Sequence, residues 1–204
     1  MKIAIIGAGA AGCFAAANIP YHPGNEVIVF EKTGKVLQKV KASGGGRCNV
    51  THNETDVPTL LGCYPRGRQL LRRSLHSFTP AQVMEWFEQR GVPLKTEPDG
   101  RVFPVSDQSQ SIIDCIWQQM TAHHVQVRFN KSVTRISRDG NGPGILISFA
   151  DGSSYVADKV LLAIGGSPKS AQYDWLRQTG HTIQPPVPSL FTFNINKKPV
   201  LALM

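Results

Sequence analysis

Cysteine is scarce in this sequence, and its four copies are spread out. Cys13, Cys48, Cys63 and Cys115 form no C-x-x-C pair among the 204 residues. Disulfide-scaffolded domains and zinc modules both need closer cysteine spacing, so neither class is expected. The six histidines show no metal-ligand spacing with carboxylates or cysteines, and we therefore assign no metal.

Long apolar runs are also missing. No uninterrupted apolar stretch approaches the length that spans a bilayer, so we expect neither a membrane helix nor a membrane partner. The first apolar strand begins at Lys2, which leaves no room for a signal peptide before it. Because 41% of the residues are apolar, the chain can still build a core. These features predict a globular, cytoplasmic protein.

Acidic residues are fewer than basic ones, 14 against 22, and the imbalance is local. From Lys32 to Arg73 the sequence has nine basic residues and only two acidic ones, Glu54 and Asp56. Such a surplus attracts anionic ligands, and phosphate is the obvious candidate. For residues 66–73, a solvated basic surface is an equally good interpretation. Charge alone does not exclude a nucleic-acid partner, but it does not favour one either.

The amino terminus carries a G-x-G-x-x-G motif between a strand and a helix. Residues 2–6 form a short apolar run, typical of a buried parallel strand, which leads directly into the motif GAGAAG. We expect Gly7 to turn the chain, Gly9 to admit a pyrophosphate and Gly12 to let the helix pack on the sheet. An alanine-rich helix is predicted over residues 10–19, with its first amides facing the phosphates.

A carboxylate follows at the position that suits an adenosine ribose. The second apolar strand is predicted over residues 26–30 and ends at Glu31, 19 residues after Gly12. In dinucleotide-binding domains an acid at this point accepts hydrogen bonds from the ribose, and it would repel a 2′-phosphate. The motif and Glu31 together predict a bound dinucleotide. The alternative is a glycine-rich turn that binds nothing.

The order of elements after Glu31 differs from that of a six-strand nicotinamide domain, which would continue with further strand–helix units. Here residues 41–51 read KASGGGRCNVT, with three consecutive glycines. A P-loop is excluded because its G-x-x-x-x-G-K-[ST] order is missing, but the glycine backbone can lie against a flat or anionic ligand. A mobile surface loop is the alternative.

Two amphipathic helices and a group of short strands are predicted next. The first helix has a capping box at Thr79 and Gln82 and stops at Gly91; the second is capped by Asp107 and carries an apolar stripe. The predicted strands cover residues 125–129, 133–137, 145–150 and 153–158, with a loop at 139–144 and a two-residue hairpin turn at Asp151-Gly152. Residues 160–166 are predicted as a returning, buried parallel strand that ends in glycines.

Several segments match a known family. The chain resembles the bacterial YhiN/BaiN-type NAD(P)/FAD-dependent oxidoreductases over residues 5–12, 41–51, 100–106 (GRVFPVS), 161–166, 180–181 and 188–190. The KASGGGRCN and GRVFPVS segments are much more specific than the glycine motif. The resemblance implies an α/β, Rossmann-like FAD-binding domain of the glutathione-reductase type, with a parallel sheet and a β-meander. It also implies FAD as cofactor, NAD(P)H as hydride donor and a small-molecule substrate.

The resemblance further implies which residues contact FAD. The implied contacts are Gly7, Gly9, Ala10, Ala11 and Gly12 for the pyrophosphate, Glu31 and Lys32 for the adenosine, Lys41, Gly46, Arg47, Cys48 and Asn49 for the flavin side, Val133 for the adenine, and Ala163 and Gly165 for a close passage of the cofactor. Ile164 replaces a threonine that is common in the family, and a backbone contact survives this change. No catalytic residue can be named, and a structural role is favoured for Cys48 because it has no nearby cysteine partner.

The domain organisation expected from the resemblance is incomplete. Similar proteins are considerably longer and return to a final FAD-binding segment after an inserted domain. We expect residues 1–188 to form an incomplete FAD-binding domain and residues 189–204 to begin the inserted domain, because the chain stops in the apolar run VLALM. An exposed apolar end is an aggregation hazard, which favours truncation over a terminal strand docked in the sheet.

Four functions compete at this point. The leading one is an FAD-dependent oxidoreductase, present as its FAD-binding part. An NAD-dependent dehydrogenase is disfavoured by the element order. An FAD- and RNA-binding protein of the tRNA-modification type would need aromatic residues among the basic cluster, where Tyr64 and Phe78 flank residues 66–73. The fourth is a non-catalytic remnant that folds but binds nothing tightly. The sequence does not indicate the acceptor or the oligomeric state.

Overall fold

The computed structural model describes residues 1–140, 142–167 and 169–187. Its strands are β1 (Lys2–Ile6), β2 (Glu26–Phe30), β3 (Thr51–His52), β4 (Leu94–Thr96), β5 (Arg101–Pro104), β6 (Gln126–Arg128), β7 (Val133–Arg138), β8 (Ile145–Phe149), β9 (Ser154–Ala157) and β10 (Lys159–Leu162). Its α-helices are α1 (Ala10–Ala17), α2 (Gln38–Ala42), α3 (Val57–Gly62), α4 (Arg68–Ser77), α5 (Pro80–Glu88), α6 (Ser109–Ala122) and α7 (Asp174–Arg177).

A parallel sheet in the order β10-β1-β2-β6 forms the centre of the molecule. β1 and β2 have the predicted bounds and pair in parallel along their whole length. Both strands are apolar because both faces of the sheet are covered: Ile5 and Val29 lie in one core cluster, whereas Ile28 and Phe30 lie in another. The predicted α/β class with a parallel sheet is confirmed.

Helices cover one face of this sheet and an antiparallel sheet covers the other. On the helical side, Phe14 of α1 packs against Trp86 of α5, with ring centroids 4.8 Å apart. On the other side, the sheet β7-β8-β9 places Phe149 4.8 Å from Phe30. The predicted β-meander is thus confirmed for three strands. The first strand predicted for it, residues 125–129, instead extends the parallel sheet as β6 beside β2.

The hairpin between β8 and β9 differs from the predicted two-residue turn. The amide of Phe149 donates to the carbonyl of Ser153 at 2.9 Å, which leaves Ala150, Asp151 and Gly152 in the loop. Gly152 has a φ of 82°, the left-handed conformation that a three-residue hairpin loop needs at its last position. The prediction of Asp151-Gly152 as the whole turn is therefore wrong by one residue.

The helix boundaries confirm one predicted cap, correct another and shorten one predicted helix. The capping box of α5 is present, with Thr79 and Gln82 bonded reciprocally. α1 ends at Ala17, two residues earlier than predicted, because the Asn18 side chain donates to the carbonyl of Phe14 and ends the helix. Asp107 does not cap α6; Gln108 occupies that position without a side-chain bond.

Asp107 does not cap α6 because its carboxylate forms ion pairs with two cations. It lies 2.5 Å from the Lys95 ammonium and 3.6 Å from the Arg47 guanidinium. Charged pairs of this kind compete effectively with an uncharged helix amide. The apolar stripe predicted for the same helix is correct, since Ile112 and Ile116 are buried.

β10 corrects the expectation of a buried returning strand. It is parallel to β1 as predicted, but Leu161 and Leu162 are 42% and 40% exposed. The reason is that β10 lies at the edge of the sheet in the described part of the chain. None of the helices described here has the length and apolarity needed to cross a membrane.

Some predicted features fall outside the described residues. They are residue 141 of the loop at 139–144, the family segment 188–190, the proposed start of an inserted domain from residue 189, and the apolar run at 200–204.

Candidate functional site

The turn between β1 and α1 has contacts that only glycine permits at two positions. Gly7 has a φ of 108°, and a Cβ added there would lie 2.5 Å from the carbonyl oxygen of Ala163. A Cβ on Gly12 would lie 1.9 Å from the carbonyl oxygen of Gly7. Gly9 is different, because no described residue other than its chain neighbours has an atom within 4 Å of its Cβ position. The turn is therefore closely packed at Gly7 and Gly12, and it is open to solvent-filled space at Gly9.

The amino terminus of α1 faces this open space. Gly9 is the N-cap and offers no side-chain bond to the first turn, and Ala10 and Ala11 are exposed. The first amides of a helix have no carbonyl partner within it and carry the positive end of its dipole. The first turn of α1 can therefore bind an anionic group.

Glu31 is a buried carboxylate fixed beside the turn. One of its oxygens accepts from the Ala8 amide at 2.9 Å, and the other accepts from the amide and hydroxyl of Thr33, each at 2.9 Å. Only 9% of Glu31 is exposed. Burial and, secondly, the charge of Glu31 raise the pKa of Cys13 to about 12. A carboxylate has about four acceptor sites, so Glu31 keeps capacity for one more donor.

A cavity of about 460 Å³ opens onto this carboxylate. We call it the carboxylate cavity; its lining includes Gly7, Glu31, Lys32, Val133, Tyr173 and Trp175. Tyr173 is anchored there because its hydroxyl donates to the carbonyl of Gly165 at 3.2 Å. The cavity thus combines a fixed acceptor with aromatic side chains.

A second cavity, of about 520 Å³, lies on the other side of the α1 amino terminus. We call it the apolar groove; its lining includes Ala10, Ala11, Phe14, Phe78, Phe87, Ile112 and Ile116, with polar groups from Lys39, Ser43, Cys48 and Asn49 at its edge. The glycine turn therefore borders both cavities: Gly7 lines one and Ala10 lines the other.

The glycine-rich segment forms a hydrogen-bonded turn at the edge of the groove. Ser43–Gly46 is a 3-10 turn, closed by the Cys48 amide, which donates to the Ser43 carbonyl at 3.0 Å. Gly44 has a φ of 57°, and a Cβ there would lie 2.8 Å from the Phe103 ring. This packing holds the turn against β5.

Cys48 and Asn49 face the groove but are engaged by the protein. Cys48 is 5% exposed, and burial raises its pKa although a hydrogen bond with Ser43 opposes the shift. In its hydrogen-bonded orientation the Asn49 amide nitrogen donates to the carbonyls of Thr51 (2.9 Å) and Val102 (3.3 Å). A protonated, buried thiol is a poor nucleophile.

Seven of the residues implied by the resemblance lie outside both linings: Gly9, Gly12, Lys41, Gly46, Arg47, Ala163 and Gly165. Arg47 points away from the groove, with its guanidinium 2.5 Å from Glu97 and 3.9 Å from the centroid of the Phe103 ring. Lys41 contributes its main-chain carbonyl, which accepts from the Ser109 hydroxyl at 3.0 Å.

Four site residues escaped the sequence reasoning. Thr33 follows Glu31 by two residues and bonds its carboxylate, a spacing that could have been recognised. The Lys39 ammonium donates to the carbonyl of Gly166 at 3.2 Å and ties α2 to the chain after β10. Tyr173 and Trp175 line the carboxylate cavity. They could have been recognised as two aromatic residues that follow Gly165-Gly166 within ten residues.

A strand, a glycine turn, a helix and an acid at the end of the next parallel strand define a Rossmann-like dinucleotide-binding fold. The chain belongs to the family described as the HI0933-like protein Rossmann domain, whose model matches residues 1–189. Family membership and the parallel sheet thus agree on the class of fold.

The chain is similar to larger curated proteins. It is 29% identical over 205 residues to a 3-dehydro-bile acid delta(4,6)-reductase of Clostridium scindens, covering 97% of this chain and 48% of the relative. It is 26% identical over 199 residues to the ribosomal RNA dihydrouridine synthase of Escherichia coli, covering 95% of this chain and 48% of the relative. The chain therefore spans about half the length of the curated relatives it matches.

Solved structures share the fold at low sequence identity. A flavocytochrome c3 fumarate reductase matches with a TM-score of 0.57 and 20% identity, covering 87% of this chain and 36% of that one. THI4 of Thermovibrio ammonificans matches with a TM-score of 0.53 and 14% identity, covering 89% and 63%. These likenesses establish the architecture.

Proposed function

We propose that this chain is the FAD-binding part of a flavin-dependent oxidoreductase. The observation that carries the proposal is the pair of cavities that border the turn between β1 and α1. A dinucleotide with its pyrophosphate at Gly9 would place an adenosine in the carboxylate cavity and its second ring system in the apolar groove. The empty space above Gly9 and the fixed carboxylate of Glu31 fit this ligand.

The apolar groove favours a flavin over a nicotinamide as that second ring. Its lining is mainly aromatic and aliphatic, with polar groups confined to the edge formed by Lys39, Ser43, Cys48 and Asn49. The flavin ring has an apolar benzenoid end and a polar pyrimidine end, so it matches a groove with this division. Lys39 lies at the polar edge, and its ammonium, which spends one of its three donors on the Gly166 carbonyl, can donate to ring oxygens and nitrogens.

When bound, a flavin supplies two-electron hydride chemistry, and the protein orients it and excludes water. We propose NAD(P)H as donor and an organic molecule as acceptor. The relatives are named for a bile acid and for ribosomal RNA, and both names support an organic acceptor. In this chain, Glu31 would hold the ribose and the first amides of α1 would hold the pyrophosphate.

An absorption spectrum of the purified chain with added FAD tests the proposal. We expect a flavin band that remains after gel filtration and is released as FAD on denaturation, together with bleaching by NADH or NADPH under anaerobic conditions. An NAD-dependent dehydrogenase would bind NAD and stay colourless. A folded chain that takes up neither FAD nor NAD would contradict the proposal and favour a non-catalytic remnant.

A further inference from the structure

Two aromatic side chains from the segment after β10 line the carboxylate cavity. Tyr173 ends the 3-10 turn Ser170–Tyr173, and Trp175 lies in α7 directly after it. α7 packs against β7, whose first residue, Val133, lines the same cavity. Both aromatic side chains are half-buried. Residues 170–177 therefore form one wall of the cavity, which we call the aromatic wall.

Tyr173 and Trp175 differ in their partners within the fold. The Tyr173 hydroxyl donates to the Gly165 carbonyl at 3.2 Å, which ties the aromatic wall to the chain that leaves β10. In the described part of the chain, the Trp175 indole N–H makes no hydrogen bond and its ring contacts no other aromatic ring. Tryptophan N–H groups usually find a partner when they are buried. The Trp175 side chain thus remains available to a ligand in the cavity.

The contacts of Glu31 indicate which part of a nucleotide reaches this wall. The Glu31 carboxylate accepts from the Ala8 amide in the glycine turn, whereas its main-chain carbonyl accepts from the Lys131 amide at 2.8 Å. Lys131 precedes β7 by two residues and lines the cavity. Glu31 therefore connects the turn with the start of β7. A nucleotide with its phosphate at the turn and its ribose at Glu31 would bring its base to the aromatic wall.

The surroundings of this end of the cavity suit a flat heteroaromatic base. Trp175 supplies an aromatic face, and Phe30, Val133 and Ile164 add apolar lining. Aromatic side chains bind bases by stacking, and the gain grows with the area of ring that is covered. A purine has two fused rings and offers a larger face than a pyrimidine. The cavity therefore favours a purine at this position.

We propose that Trp175 stacks on the purine base of the bound nucleotide and that Tyr173 positions the aromatic wall for this contact. The inference rests on the proposed function for the direction in which the nucleotide lies, and it adds the residue that selects the base. The glycine turn and Glu31 would contact phosphate and sugar, which all nucleotides share. Selection of the base therefore falls to Trp175.

Isothermal titration calorimetry with ADP and CDP tests this assignment. In Trp175→Leu we expect ADP affinity to fall about tenfold, because leucine keeps apolar contact but removes the stacking face, and Trp175→Phe should recover most of it. CDP affinity should fall less. Tyr173→Phe loses only the anchoring hydroxyl and should weaken ADP binding about threefold. The matched control is Trp117→Leu, which removes a 40% exposed indole outside both linings and should bind ADP like the parent chain.

A fluorescence titration checks the contact without changing Trp175, and it decides the matter if Trp175→Leu does not fold. The chain has three tryptophans, so emission from Trp117→Phe comes only from Trp86 and Trp175. Trp86 is 7% exposed and packs against Phe14, away from the carboxylate cavity lining. We expect ADP to quench this emission saturably and ribose 5-phosphate to leave it unchanged.

Three results would overturn the assignment: parent-like ADP affinity in Trp175→Leu, equal losses for ADP and CDP, or no quenching by ADP. The flavin proposal fails by a different result, because ADP contains no flavin. If ADP binds as expected but FAD binds no more tightly than ADP, the flavin proposal is wrong and Trp175 keeps its role. If FAD binds Trp175→Leu as tightly as the parent chain, the role of Trp175 is wrong and the flavin proposal stands.

Discussion

The two cavities beside the glycine turn are built in different ways. The carboxylate cavity depends on one fixed acceptor, Glu31, whose two oxygens accept hydrogen bonds from Ala8 and Thr33. The apolar groove depends on side chains from α1, α5 and α6, which meet there only after the chain has folded. Polar recognition is thus concentrated in one carboxylate, whereas apolar recognition is distributed over several helices.

This difference has a consequence for ligand binding. A ligand group in the carboxylate cavity gains affinity through directional bonds that one substitution can remove. A ring in the groove gains affinity from buried area, so each lining residue contributes only a share. Substitutions at the turn and at Glu31 should therefore have larger effects than substitutions around the groove.

The largest expected effect separates two glycines of the turn. A Gly12→Ala change drives a methyl group into the Gly7 carbonyl and should destabilise the chain by about 3 kcal/mol. Gly9→Ala meets no described atom within 4 Å, so its melting temperature should stay within about 2 °C while FAD affinity falls about tenfold. Thermal denaturation and flavin titration measure both. Equal stability loss in the two variants would contradict the open space above Gly9.

The next effect concerns the carboxylate cavity. Glu31→Gln keeps the shape but removes the charge and one acceptor, so we expect FAD affinity to fall about 10- to 100-fold. Glu88→Gln, an exposed carboxamide exchange on α5, is the matched control and should bind FAD like the parent chain. Isothermal titration calorimetry measures both constants. Parent-like affinity of Glu31→Gln would show that the ribose is not bound there.

The same contrast explains which parts were predictable from sequence. β1, the turn, β2 and Glu31 are adjacent in the chain, and the motif carries their geometry in fixed spacing. The capping box of α5 was equally local and correct. The two-residue hairpin and the Asp107 cap failed because each depended on a contact with another element, namely the register of β8 with β9 and the cations Lys95 and Arg47.

The groove could not be derived because its members are separated by up to a hundred residues. Phe87 and Ile116 belong to amphipathic patterns that predict burial but not a shared cavity, and Phe14 lies in a helix predicted only as alanine-rich. α3 and α4 were not predicted either, since α4 has no buried residue and its charged composition hides the half-buried leucines. Tyr173 and Trp175 likewise line the carboxylate cavity only because the chain returns to it after β10, and local sequence patterns do not predict this return.

A smaller effect tests whether Arg47 belongs to the binding surface or to the scaffold. Its guanidinium pairs with Glu97 and stacks on Phe103, so Arg47→Lys should lower the melting temperature through the lost stacking and fork geometry. FAD affinity should change less than about threefold, because Arg47 lies outside both linings. Arg135→Lys, at an exposed site, is the control. A large affinity loss at unchanged stability would instead place the side chain on the flavin.

The smallest effect uses Cys48 as a reporter on the groove. Cys48 is buried and lines the groove, whereas Cys63 is exposed and lies outside it. Because burial raises the pKa of Cys48, its alkylation by iodoacetamide should be slow at pH 8 and should accelerate as pH rises, since only the thiolate reacts. Saturating FAD should slow Cys48 labelling by at least about threefold and leave Cys63 unchanged, if a ring occupies the groove. Peptide mass spectrometry resolves the two sites; equal protection of both cysteines would indicate a general tightening of the fold, and protection of neither would place the ring elsewhere.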